Sequence, residues 1–291
     1  MGNKDIGEKL LESYNDVFAD IVNVLLFRGK KKMVEADLEE QAPRDVYKAD
    51  GKLREMERDV IKRWKRGELR IASIGMENQS EPDPAMPLRI LAYDGAEYRA
   101  QLLKGNEQKT LYPVVTIVLY FGYEREWKQK LTLKQCLSIP EELQPYVNDY
   151  RINVFQIAFL EQEQVEQFQS DFKVVADYFA QMRKTHDYVP TAQELQHVQE
   201  TLQLLSIMTN DHRFEEVYNE EKGSQEGVPK NMCEVLDRIE NKGIERGREQ
   251  GMLEALVSLA RDGLITVQEA AKRSHLTVAE FETRARELQL Q

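Results

Sequence analysis

Two cysteines in 291 residues, Cys136 and Cys233, are too few and too far apart for a disulfide framework or a zinc site, and both read as free thiols. The four histidines (His186, His197, His212, His275) are scattered and form no ligand motif. Long apolar runs are missing as well. None approaches the roughly 20 residues that a helix needs to span a membrane. Met1 to Lys9 is polar and charged, without the apolar stretch of a secretory signal, so the cytoplasm is the expected location. An excess of basic charge is also absent. The formal net charge of −11 excludes a generic nucleic-acid coat, because phosphate affinity is dominated by lysine and arginine. A localised site remains open. The composition, 41% apolar and 31% charged, is that of a globular protein long enough for one large domain or two smaller ones.

The stretch from Arg54 to Gln79 carries the most chemistry. It reads as two strands joined by a tight turn, Lys65-Arg66-Gly67-Glu68, with an acid on each strand. Asp59 precedes Val60, Ile61 and Trp64, and the run Leu69–Met76 ends on Glu77, Asn78 and Gln79. A hairpin would bring the two carboxylates side by side, where they repel unless a proton or a cation separates them. A hard divalent cation keeps both ionised, which makes the pair a candidate metal site. The alternative reading is two solvated acids at strand ends.

Basic residues gather around this stretch. From Lys48 to Arg70 there are nine lysines and arginines against five acids, and Lys52, Arg54, Lys62, Arg63, Lys65 and Arg66 are the candidate DNA contacts. Arg28, Lys30, Lys31 and Lys32 form a second basic cluster, the alternative for both being a solvated face.

Elsewhere, three- and four-residue spacing of apolar residues predicts a first helix over 5–27, closed by Gly29. Residues 33–52 read as an acidic loop. A Pro-rich entry leads to a helix over 85–103, with Leu88, Leu91, Ala92, Ala96 and Leu102 expected to face the core. Tyr112–Tyr123 and Arg151–Phe159 read as strands buried on both faces. Helices covering a small mixed sheet follow. Residues 161–214 are helical, with DFKVVADYFAQM and AQELQHVQETLQLLSIMT joined at Pro190-Thr191, and 223–231 is the best linker. In the last 60 residues, Gly243, Gly247 and Gly251 mark a weak, extendable helical linker. Two short helices with capping boxes at Thr266/Glu269 and Thr277/Glu280 follow. They resemble a helix-turn-helix, but acids on the second helix favour a helical hairpin for self-association.

The strand, turn, strand, E-x-Q order resembles the PD-(D/E)XK nuclease core in the form of the Rpn family (recombination-promoting nuclease/putative transposase, YhgA-like). The resemblance extends through NDVFADIVNVLLF, YKADGKLREMERDV, ENQSEPDPAMPLRILAYDGAEYRAQL, YPVVTIVLYFGY, DFKVVADYF and NMCEVLDRIENKGIERGREQG, which is most of the chain. It implies an α/β, restriction-endonuclease-like core over 1–160, a helical extension over 161–222, a linker over 223–231 and a helical C-terminal region over 232–291. It further implies that Asp59 and Glu77 anchor Mg²⁺, with Mn²⁺ as a substitute, and that the backbone carbonyl of Asn78 is a third ligand. Gln79 stands where the superfamily usually has lysine, so an uncharged amide would orient water or a phosphoryl oxygen there. A helix-borne acid completes the set: Asp16 first, Asp20 one turn away, then Glu12.

Two functions of different class follow. One is a metal-dependent DNA endonuclease linked to recombination or mobile elements. The other is a catalytically weak or inactive relative serving as a DNA-binding or interaction module. A homodimer through the C-terminal helical region is expected for either, since two-fold assemblies are the commonest.

Overall fold

The computed structural model describes residues 10–41, 44–49, 52–57, 59–67, 69–103, 111–221 and 227–289. The chain divides into two compact units, Met1–Met232 and Cys233–Gln291. The larger is a mixed α/β unit. Its five-stranded sheet has the order β1 (Leu38–Glu40), β4 (Val60–Arg66), β5 (Leu69–Gln79), β6 (Val114–Tyr120) and β7 (Asn153–Gln156). β2 (Arg44–Ala49) and β3 (Lys52–Glu57) pair separately as an antiparallel hairpin. The β4–β5 hairpin is antiparallel and β5–β6–β7 are parallel, so the sheet is mixed, with the strand, helix and strand order of a restriction-endonuclease-like core.

The β4–β5 hairpin forms as the sequence implies, turning at Gly67, whose φ of +60° suits glycine. β6 is buried along nearly its whole length because it lies between two parallel neighbours. β7 differs from expectation. It has only four residues at the sheet edge, is incompletely buried, and passes into a 3-10 turn at Ile157–Phe159. The segment expected to be a loop over 33–52 holds β1, which covers the outer edge of β4 with Leu38 opposite Trp64, followed by the β2–β3 hairpin. Covering that edge removes a row of unpaired backbone groups.

α1 (Asn15–Leu25) and α4 (Phe172–Thr185) lie on one face of the sheet, and α2 (Met86–Leu103) on the other. Phe121, just past β6, meets Phe172 and Phe179 of α4 at 6.2 and 5.1 Å between ring centroids. On the α2 side, Met86, Ile90 and Tyr93 pack with Val118, Tyr120, Trp127 and Ile152.

α2 corrects the sequence reading. Leu88, Leu91, Ala92 and Leu102, expected inside, are exposed, and Ala96 is only partly buried. The inward face instead carries Asp94, Glu97 and Gln101 below Met86, Ile90 and Tyr93. The sheet supplies partners that hydropathy does not register. Thr116 Oγ1 donates to Asp94 at 2.6 Å, and Tyr150 donates to its other oxygen. Ser73 Oγ and Tyr112 Oη donate to Glu97 at 3.0 and 3.2 Å. Buried polar groups so satisfied cost little.

α1 is also shorter than its apolar spacing suggests. The 3-10 turn Leu11–Ser13 precedes it, and Tyr14 is extended between them. Residues 5–9 of the expected helix lie outside the described residues. The break has a local cause: Lys62 on β4, only 2% exposed, donates from Nζ to the Ser13 carbonyl at 2.7 Å and to Asn15 Oδ1 at 2.6 Å. That carbonyl is thereby taken out of the helical ladder. Gly29 closes the turn after α1 with φ +76°, its N–H donating to Asn23 O at 2.9 Å.

The helices after the sheet are α3 (Gln162–Val165), α4, α5 (Val198–Thr209) and α6 (Arg213–Glu221). α5 starts at Val198, not near Thr191, because Asp171 Oδ2 accepts the backbone N–H groups of Gln196 (2.8 Å) and His197 (2.6 Å) and holds that segment out of the helix. The smaller unit holds the rest of α7 (Met232–Arg261), α8 (Val267–Arg273) and α9 (Val278–Gln289), with Leu253, Leu256, Ala270, Ala271 and Phe281 at its core. α7 runs unbroken through its three glycines. The Thr277/Glu280 capping box forms in full, the two residues bonding reciprocally, whereas at α8 only the N-cap half does: Thr266 Oγ1 accepts from Glu269 N, and the Glu269 carboxylate takes Arg273 instead. No helix among the described residues is long and apolar enough to cross a membrane.

Replacing Lys62 with methionine keeps the volume but strips the Ser13 carbonyl and Asn15 of their donor. The expected loss is about 1–3 kcal/mol in urea unfolding, and an unchanged midpoint would refute this role.

Candidate active site

β4 and β5 pair with Val60 opposite Met76, which brings Asp59, one residue before β4, beside Glu77 and Asn78. Asp59 Oδ2 accepts the backbone N–H of Asn78 at 2.8 Å. Successive side chains on a strand point to opposite faces, so Glu77 and Asn78 diverge. Glu77 turns toward α2 and Asn78 toward the 3-10 turn before α1.

Glu77 is 1% exposed, and its Oε2 accepts from Arg89 Nη2 at 3.0 Å. Arg89 is 39% exposed and is itself fixed by Asp83, which accepts from Nη1 at 3.0 Å and from Ala85 N at 2.8 Å at the start of α2. Nη2 also donates to Tyr93 Oη at 3.4 Å. Burial opposes the charge of Arg89, but the contacts to Tyr93, Glu77 and Asp83 outweigh it and raise its pKa. The Tyr93 phenol is raised as well, by burial first and then by the negative charges of Glu77 and Asp59, with Arg89 opposing. It therefore remains a protonated donor at neutral pH.

On the other face, Asn78 Nδ2 donates to Glu12 Oε1 at 2.9 Å, and Glu12 is fully buried in the turn that Lys62 holds. Asn78 Oδ1 is buried and takes no hydrogen bond from the described residues. The Asn78 amide thus joins Asp59 through its backbone and Glu12 through its side chain, next to Glu77 in sequence. Gln79 is half-buried, its carbonyl accepting from Phe121 N at 2.8 Å.

The acids of α1 go elsewhere. Asp16 meets His197 Nε2 at 3.1 Å, and the His197 ring stacks on Tyr14 at 3.6 Å. Tyr14 donates to Glu200, and its pKa is pushed up to about 12 by burial and then by that carboxylate. Asp20 accepts from Gln169 N, Ser170 N and Ser170 Oγ at 2.7–2.8 Å. Both line a cleft of about 370 Å³ that also includes Asp171 and Lys31 but none of Asp59, Glu77 and Asn78. The acid that reaches the hairpin is Glu12, ranked third by sequence, because the chain breaks at Tyr14 where a continuous helix was expected.

The basic residues are also placed differently. Lys62 is buried and bonded to the turn before α1, so its ammonium is not at the surface. Lys65 is ion-paired with Glu39. Arg63 is partly buried, Arg66 is exposed, and Lys52 and Arg54 lie on β3, their side chains outside the described residues. Arg66 ends β4 seven residues from Asp59, about 23 Å along an extended strand. Arg28, Lys30, Lys31 and Lys32 are exposed after α1, where Phe27 touches Trp64 of β4 at 5.7 Å between rings.

Arg89 and Tyr93 receive no role from the sequence. The signal available was the inward spacing Ile90, Tyr93, Asp94, Glu97, Gln101, legible only if acids are allowed to face a core. Among the described residues no group of three or more His, Cys, Asp or Glu side chains is drawn together tightly enough to hold a metal ion. The donors that do meet, carboxylate and amide oxygens, are hard ligands, and the buried Asn78 Oδ1 is a free acceptor beside them.

The sheet order and the paired acids on its central hairpin define a mixed α/β protein of the restriction-endonuclease-like class. The family model described as "Putative transposase, YhgA-like" matches residues 36–211, and the chain belongs to that family, whose description is that of a mobile-element protein. The match includes the hairpin, α2 and β6 but not Glu12. No curated protein and no solved structure is detectably similar to the chain.

Replacing Arg89 with methionine leaves Glu77 buried without its guanidinium. Discounting the 3–5 kcal/mol typical of a broken buried pair for the exposure of Arg89, the expected cost is about 1–3 kcal/mol. Glu77→Gln in that background should recover part of it, so a double-mutant cycle in urea with no coupling would contradict the pairing.

Proposed function

We propose that the chain is a metal-dependent DNA endonuclease acting in recombination or the movement of mobile elements. The observation that carries this reading is the meeting of Asp59 and Glu12 on Asn78, with Glu77 the adjoining residue, on the hairpin of a YhgA-like chain. Asp59, Glu77 and the Asn78 carbonyl would hold Mg²⁺, or Mn²⁺ in its place, with Glu12 as the further acid where Asp16 was expected. When bound, the ion would neutralise phosphoryl charge and activate water for hydrolysis. The chain's own residues supply the rest. Asn78 N fixes Asp59, Arg89 and Tyr93 orient Glu77, Lys62 holds the turn carrying Glu12, and the uncharged Gln79 is left to orient water or a phosphoryl oxygen.

DNA would approach the exposed basic residues, Arg66 and the cluster Arg28 and Lys30–Lys32, with Lys65 freed from Glu39. A separation of about 23 Å between Arg66 and Asp59 is less than one turn of duplex, about 34 Å.

One observation favours a second reading, an inactive relative acting as a DNA-binding or interaction module. Arg89 already balances Glu77, and no described cluster of three metal-ligating side chains is assembled.

Incubation with supercoiled plasmid separates the two. Metal-dependent nicking or linearisation should appear with Mg²⁺ or Mn²⁺. It should fall at least about 100-fold in Asp59→Ala, Glu77→Ala and Glu12→Gln, while Asp16→Ala retains it. No cleavage with either ion would support the second reading instead, and equal cleavage by the hairpin variants would remove the active site from this hairpin.

A further inference from the structure

The inward face of α2 is mixed, Met86, Ile90 and Tyr93 beside Asp94, Glu97 and Gln101, and its outward side is mostly apolar. Leu88, Leu91, Ala92, Tyr98 and Leu102 are exposed along that side, Leu102 to 67%. Gly95 stands at the midpoint. A Cβ there would meet no atom of the described residues within 4 Å, so none of them requires a glycine. Yet glycine inside a helix is less favourable than alanine.

We propose that this side of α2 binds α2 of a second copy of the chain, antiparallel, with the two-fold axis crossing at Gly95. The pattern is symmetric about that residue. Such an axis sets Leu88 against Leu102 of the second copy, Ala92 against Tyr98, and Leu91 against the stem of Arg99. Large residues at the ends and a glycine at the centre are what lets two helix backbones approach at their crossing. A two-fold contact needs one patch that complements itself, and this one does.

Charge selects the same occupant. The chain carries −11 overall, so two copies repel across most of their surfaces. The outward side of α2 has no acid, since Asp94 and Glu97 are buried. Its one exposed cation, Arg99, lies four residues from the axis. The two copies of Arg99 are then eight residues apart along the helices, about 12 Å, beyond strong repulsion in physiological salt. The stem of each covers the opposing Leu91. This inference does not rest on the nuclease reading.

Sedimentation velocity of the full chain tests it, with Leu91→Glu, Leu102→Glu and Gly95→Ala as variants. The wild type should be a dimer at micromolar concentration. Both glutamate variants should be monomers with unchanged circular dichroism and a melting temperature equal to that of the wild type diluted to monomer, because both positions are exposed. Gly95→Ala should weaken the dimer at least tenfold while the monomer melts no lower, a split that a folding defect would not produce. A wild type that stays monomeric at every concentration overturns the proposal. So does a dimer that persists in both glutamate variants, as one held by the C-terminal unit would.

Discussion

The pleat of β5 fixes where each polar group of the hairpin can go. With Val60 set opposite Met76, Asp59 comes level with the Glu77–Asn78 peptide, and the alternation of side chains sends those two neighbours to opposite faces. A slip of one residue would put Glu77 against α1 and Asn78 against α2, breaking the Arg89 and Glu12 contacts together. The helices on either side are built to receive this arrangement. α2 presents Arg89 and Tyr93, and the turn before α1 presents Glu12. Lys62, on the α1 side of the same strand, ties that turn down through the Ser13 carbonyl.

Asp59 and Glu12 meet Asn78 through its backbone and its side chain, while Glu77 turns to the opposite face. Asp59 takes a backbone N–H, Glu12 takes a side-chain amide, and Glu77 has the guanidinium of Arg89. Neutral donors stabilise a carboxylate but do not cancel the repulsion between carboxylates. A divalent cation would relieve repulsion between carboxylates, which links the local electrostatics to the proposed chemistry.

The hairpin, the buried β6 and the N-caps of α8 and α9 were legible in sequence because each depends on local pattern: alternation, an unbroken β-branched run, a cap residue three before an acid. The inward face of α2 was not. Its acids are buried only because Ser73, Thr116, Tyr112 and Tyr150 arrive from elements far along the chain. That Glu12 and not Asp16 lies against the hairpin was hidden for a similar reason. Apolar spacing runs smoothly through Tyr14, and the break there is imposed by a lysine 48 residues away on β4. The basic residues around the hairpin looked like one cluster. β4 carries Arg66 about 23 Å from Asp59 and buries Lys62, which composition along a window cannot express.

Electron paramagnetic resonance of Mn²⁺ titrated into the wild type and Asp59→Ala tests the proposed hairpin centre most directly, because it reads the ion without requiring turnover or a DNA target. Loss of the free Mn²⁺ signal on binding to the wild type, with the signal retained in Asp59→Ala, is the expected result. No binding by the wild type, or equal binding by both proteins, would contradict a metal centre on this hairpin.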